Sequence, residues 1–159
     1  FFTSDSHESL IIRPKNYYDL SIPSGNSVAA NVLLKLHHIT NNDSFLKISK
    51  DVLQTNATAA AENPFAFGYL LNVLHLFLKS PTEITIINDE NSKILDSLYK
   101  KFIPEGIIIV LKSESNLQIL SKYPFFEGKE FLNKTSVTVC KNFTCSLPMT
   151  ELAEIEKHF

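Results

Sequence analysis

The sequence has no Trp, one Met, four Gly and two Cys. Its only Arg is Arg13. So few glycines, beside seven Pro, exclude a collagen-like repeat or a low-complexity linker. Two Cys cannot staple a small disulfide scaffold, and they suit a reducing compartment, so a cytoplasmic protein is expected. Fifteen basic against 17 acidic residues leave a net charge of −2. No basic field exists to attract nucleic acid or an anionic membrane. The most apolar stretch, Pro64 to Leu78, holds Gly68, Asn72 and His75 and falls short of the roughly 20 residues a membrane span needs. Neither a dinucleotide glycine fingerprint nor a phosphate loop occurs, and Cys and His lack zinc spacing, so no cofactor or metal is expected. Phe1 is neither an initiator Met nor the start of a signal peptide, which suggests a piece of a longer protein. On that ground the Asn-x-Ser/Thr matches at Asn42, Asn56, Asn133 and Asn142 are read as chance.

What is present is a globular composition. Of the 159 residues, 44% are hydrophobic and 20% charged, enough for a real core. The chain then falls into two parts of different grammar. From Ser24 to Lys79 the apolar spacing is helical. Val28, Val32, Leu33, Leu36 and Ile39 step by three and four, and Ala29, Ala30 and Leu34 widen the stripe. Asn41-Asn42-Asp43 breaks this helix and caps a second, with Phe45, Ile48, Val52 and Leu53 on one face. A third helical stretch is expected from Ala57 to Leu78, interrupted at Asn63-Pro64.

After Ser80-Pro81 the period changes. Glu83 to Ile87 reads as a strand, Ile94 to Phe102 as a helix with Ile94, Leu95, Leu98, Tyr99 and Phe102 inward, and Ile107 to Leu111 as a strand covered on both faces. Together they make a βαβ unit. A short helix over Asn116 to Ser121, a strand from Thr135 to Cys140 and a closing helix from Thr150 to His158 complete the part. The expected fold class is mixed α+β: a helical region over 1–80 and a small three-layer α/β domain over 81–159.

Three places hold chemistry-bearing residues. In the segment from Asp5 to Ser27, a helix starting at Ser24 would offer free N–H groups to an anion or a sugar hydroxyl, with Asp19 and Glu8 as carboxylates. The competing reading makes Ser24 or Ser27 a helix cap and gives Arg13 a carboxylate partner. Four residues separate Cys140 from Cys145, wider than the two-residue thioredoxin redox spacing. Two reduced thiols of ordinary reactivity, at least one buried, are expected, and a disulfide would need Cα atoms within about 7 Å. At Asn88-Asp89-Glu90-Asn91 a strand end could bind a ligand, but Asp89 or Asn91 as a helix cap explains the residues. His37, His38 and His75 read as core or interface residues, and Lys100-Lys101 as a solvated helix end.

Phe1-Phe2-Thr3-Ser4, Asp5-Ser6-His7-Glu8, Arg13-Pro14-Lys15, Asp19 and Pro23 to Ala30 resemble a block of the thioredoxin-domain-containing YyaL family, whose animal members are called spermatogenesis-associated proteins. Val139-Cys140, Asn142 to Cys145, Leu147-Pro148 and Thr150 look like its closing motif. Asp5-Ser6-His7-Glu8 departs slightly from the family's acidic-His-Glu run, and no counterpart of the catalytic His residues of sugar epimerases is present. The resemblance implies that this is the C-terminal piece of a thioredoxin-like domain joined to an (α/α) six-hairpin toroid, ending in a small α/β part. It also implies a sugar as ligand, with Asp19, Ser24 and Asn26 facing the toroid cavity and Glu8 and Arg13 next to them. The alternative is a non-catalytic interaction or scaffold module attached to the redox domain. For Cys140 and Cys145 the rival to two structural thiols is a resolving partner for the thioredoxin-like domain. The rest of its own longer chain is the expected partner. Alone, the piece is expected to self-associate through the apolar helices around Val28–Leu36 and Phe65–Leu78.

Overall fold

The computed structural model describes residues 16–89, 93–132, 134–142 and 144–158. Glu8 and Arg13 lie outside them, as do Asn91, Asn133 and Phe159. The fold is mixed α+β, and the chain divides into two compact units, Phe1–Phe77 and Leu78–Phe159.

In the first unit, α1 spans Gly25–Thr40 and α2 spans Asp43–Glu62. A 3₁₀ turn over Pro64–Phe67 leads into α3, Gly68–Leu78. Local chemistry sets the boundaries. Ser24 caps α1 by accepting from the Ser27 N–H, and Asn42 caps α2 by accepting from the Ser44 N–H. Asn41 closes α1 at φ 55°, a left-handed conformation that Asn tolerates better than most residues. Pro64, which cannot continue a helix, separates α2 from the turn that follows.

Two expectations for this unit are corrected. Ala57 to Glu62 belongs to α2, so the third helix begins only after Pro64. The buried face of α1 is Asn26, Ser27, Ala30 and Leu34, whereas Val28 and Val32 are exposed. Small residues win because α1 and α2 approach closely: the fully buried Ser49 donates its hydroxyl to the Ala30 carbonyl at 2.9 Å. Leu53, Ala60, Phe67, Leu70, Val73 and Leu76 complete the core.

In the second unit, a mixed four-stranded sheet has the order β2-β1-β3-β4. The strands are β1 Thr82–Ile87, β2 Gly106–Leu111, β3 Ser136–Lys141 and β4 Thr144–Cys145. β1 and β2 pair in parallel around α4, Lys93–Leu98, giving the βαβ unit. β3 runs antiparallel to β1, and β4 antiparallel to β3. One sheet face is apolar: Ile84, Ile86, Val137 and Val139 pack with Ile94, Leu98, Met149 and Ile155. The chain also forms α5, Glu114–Leu120, capped by Ser113, and α6, Leu152–Ile155.

Here too the structure departs from expectation. Because β2 is an edge strand, Ile108, Ile109 and Val110 are only half-buried rather than covered on both faces. Helix α4 ends at Leu98, which leaves Tyr99 and Phe102 exposed instead of inward.

Candidate functional site

The segment before α1 is organised by Asp19. The Asp19 N–H donates to the Ala66 carbonyl at 2.7 Å. Its Oδ1 accepts from the Ser24 N–H at 2.7 Å and its Oδ2 from the Leu70 N–H at 2.9 Å. Both oxygens of a carboxylate that is only 7% exposed therefore face the starts of helices, where unpaired N–H groups and the helix dipole favour negative charge. Burial alone would raise the Asp19 carboxyl. The backbone hydrogen bonds from Ser24 and Leu70, with those from the Ser27 and Ser24 hydroxyls, outweigh it and hold the group below its ordinary value.

Ser24 is equally enclosed. Its Oγ lies 2.8 Å from Ser27 Oγ and accepts from the Ser27 N–H at 3.1 Å. The structure thus brings Asp19, Ser24 and Ser27 into one hydrogen-bonded junction between the starts of α1 and α3. This arrangement orients helices. A proton-transfer role would require a carboxylate oxygen facing a substrate.

Asn26 is placed differently. It donates through Nδ2 to the Asn16 carbonyl at 2.9 Å, and it lines a groove of about 290 Å³, of mixed polar and apolar character, with Tyr17, Ile48, Asp51, Val52, Thr55 and Asn56. Asp51, Val52, Thr55 and Asn56 fall at helical spacing on one side of α2. Thr55 and Asn56 are site residues that the sequence signals only through the i, i+4 polar pair Asp51 and Thr55, with Asn56 next to it on the same side of α2. Asn56 is also 6% exposed, which is incompatible with a glycan in the folded unit. A second groove, apolar and about 330 Å³, runs between α2 and α3 past Leu53, Ala57, Ala60, Leu70, Leu74 and Phe77.

In the second unit, Asp89 is buried and its Oδ2 accepts from the Leu95 N–H at 3.2 Å, which serves the first turns of α4. The expectation of two reduced thiols is overturned: Cys140 and Cys145 form a disulfide, with Cα atoms 4.0 Å apart. The reason is register. Cys140 and Cys145 stand directly opposite on β3 and β4, and the Ser146 N–H donates to the Val139 carbonyl in the adjacent pair. That makes 140/145 the non-hydrogen-bonded pair, in which side chains come closest. The tight turn is set by Asn142 at φ 51°. Cys140 is buried and Cys145 exposed. Among the described residues, no group of three or more His, Cys, Asp or Glu could hold a metal ion. No helix among them is long and apolar enough to cross a membrane.

No family model and no solved structure matches the chain. It is similar to spermatogenesis-associated protein 20 of Homo sapiens, 24% identical over 164 residues that take in 99% of this chain and 21% of that protein. The protein of the same name from Rattus norvegicus gives the same identity and coverage. An uncharacterized protein of Caenorhabditis elegans is 23% identical over 163 residues, covering 100% of this chain and 22% of its own length. The chain is thus distantly similar, along nearly all of its length, to spermatogenesis-associated protein 20, and it spans about a fifth of the curated relatives it matches.

Proposed function

We propose that this chain is a ligand-binding part of a longer protein, and that its helical unit supplies one wall of a site for a hydroxyl-rich ligand such as a sugar. The observation behind this reading is the groove that gathers the Asn26 and Asn56 amides, the Asp51 carboxylate, the Thr55 hydroxyl and the Tyr17 ring. Amides and carboxylates pair with ligand hydroxyls, and an aromatic ring offers an apolar face to the C–H side of a sugar. Asp19 and Ser24 contribute by fixing the start of α1, which carries Asn26. In this reading the helical unit belongs to an (α/α) six-hairpin toroid, and the remaining hairpins of the longer chain close the cavity in the cytoplasm. The chain alone is inactive, because half a cavity cannot position a substrate.

A second reading, a non-catalytic interaction module, draws on the apolar groove between α2 and α3. The rest of the longer chain would cover it; in its absence the chain would associate with itself. A carbohydrate-binding panel on the full-length protein separates the two. Binding that is lost in Asn26→Ala and Asp51→Asn, with unfolding midpoints unchanged, supports the sugar site. Absence of binding to every carbohydrate, together with a self-associating chain that becomes monomeric in Leu74→Glu, supports the interaction module instead.

A further inference from the structure

The second sheet face of the Leu78–Phe159 unit collects groups of a different kind. Glu83 stands directly opposite Cys140, Thr85 opposite Thr138, and Ile87 opposite Ser136, so these side chains share the face turned away from the apolar core. Cys145 joins them across β3 and β4. Lys129 lies over this face: it shares a cavity of about 90 Å³ with Cys145, Ser136 and Thr138. It is held there by donating Nζ to the Phe125 carbonyl. The Thr85 hydroxyl, 1% exposed, has no hydrogen-bond partner among the described residues. Buried hydroxyls are almost always paired, so this one, on the same sheet face as Cys140 and one cross-strand pair further along, is an exception.

We propose that the Cys140–Cys145 disulfide is a thiol–disulfide exchange site whose substrate is a dithiol, with Cys145 as the attacked sulfur and Glu83 as the proton donor to Cys140. Access selects the sulfur. Cys145 is exposed and opens onto a groove of about 400 Å³ lined also by Thr82, Lys141, Ser146 and His158, whereas Cys140 is 3% exposed. A thiolate of the dithiol attacks Cys145 Sγ, a new S–S bond forms, and the Cys145–Cys140 bond breaks with its electron pair leaving on Cys140 Sγ. The second thiolate of the dithiol then attacks its own first sulfur and releases Cys145. The dithiol ends as a disulfide, oxidised by two electrons, and the pair Cys140/Cys145 ends reduced by two.

The leaving thiolate develops in a buried position, where an uncompensated charge is costly. Three groups answer it. Glu83, opposite Cys140, is held above the ordinary carboxylate value by burial, against the opposing pull of Lys129. It therefore keeps a proton to higher pH than a solvated Glu and can pass it to Cys140. Lys129, whose ammonium is lowered by burial and raised by Glu83, supplies positive charge on the same face. Thr85, one cross-strand pair further along the same face, carries a hydroxyl that has no existing bond to give up. The other charged groups near the bond are Glu127 and Glu130 at the smaller cavity and Lys141 and His158 at the larger.

The test is reduction of the folded chain by dithiothreitol, quenched by alkylation and read by mass, because its two Cys are the only ones present. Reduction at a rate proportional to dithiothreitol, with the far-UV circular dichroism unchanged, is expected. A rate that ignores the reductant and equals the unfolding rate overturns the proposal. Single variants test the order of attack. In Cys140→Ser, Cys145 should form a mixed disulfide with glutathione disulfide, and in Cys145→Ser, Cys140 should resist it; the reverse pattern overturns the assignment. Glu83→Gln, measured as a ratio to wild type at each pH, separates chemistry from packing. The ratio should rise about tenfold from acid to alkaline pH, because at low pH the variant lacks a proton donor and at high pH it lacks a repelling carboxylate. A ratio flat with pH would remove Glu83 from the mechanism.

Discussion

Replacing Asp19 by Ala should loosen the helical unit at two places, Ser24 and, 51 residues along the chain from Asp19, Leu70. The size follows from the two backbone bonds. Each runs from an N–H to a buried carboxylate, and bonds to charged groups contribute about 1.5–3 kcal/mol apiece. Losing both and leaving two donors without acceptors should cost about 3–6 kcal/mol, a large share of the roughly 5–15 kcal/mol that stabilises a domain. Asp19→Asn keeps one acceptor and the shape, and should cost about half as much. The folded-state carboxyl is held below the ordinary value of 3.8, so this stability is fully present above that value and is lost as the pH falls through the lower, folded-state one. Hydrogen exchange read segment by segment is the assay, since two units need not unfold together. Exchange at Ser24 and Leu70 should speed up about a hundredfold or more in Asp19→Ala, with the sheet unit unaffected. Unchanged exchange at both amides would refute the reasoning, as would an Asp19 carboxyl that titrates by NMR at or above 3.8.

Asn42→Ala removes the α2 cap that accepts from Ser44 and should lower stability by about 1 kcal/mol, read as a shift in the urea midpoint of the helical unit. His38 is held below its ordinary value of 6.5 by burial and secondarily by His37. Its neutral form is the one the fold accepts, so stability is complete above 6.5 and declines as the pH falls from there through the folded-state value. His38→Gln should flatten that decline between neutral and mildly acid pH in thermal melts, and a melt profile identical to wild type would contradict it.

Features that depend on neighbours along the chain are legible in the amino-acid order. Ser24 and Asn42 as caps, the breaks at Asn41 and Pro64, and the strand-helix-strand order from Thr82 to Leu111 follow from residues a few positions apart. Local chemistry also carried most of the helical and strand assignment, because hydrogen-bonded turns and pleats leave a period in the pattern of apolar residues. That period is silent where a helix is apolar nearly all round. In α1 it pointed to Val28 and Val32, and only the close approach of α2 at Ser49 decided that Ser27, Ala30 and Leu34 are the buried face. The same limit hid the edge position of β2 and the exposure of Tyr99 and Phe102, since neither is a property of its own segment.

Tertiary structure alone decided the chemistry of the singled-out residues. Asp19 read as a carboxylate available for a ligand, yet its second oxygen is taken by Leu70, a partner no local pattern announces. Asn26 gained its groove from Asp51, Thr55 and Asn56 on another helix. Cys140 and Cys145 became a bonded pair because a turn at Asn142 sets them opposite each other on β3 and β4, and Glu83 reached Cys140 through the register of β1 on β3. Spacing in sequence fixes which residues can share one turn of helix or one strand face. Which strands and helices then meet is settled by burying the chain's apolar surface at once, and Asp19, Asn26 and the Cys140–Cys145 pair each lie at such a meeting.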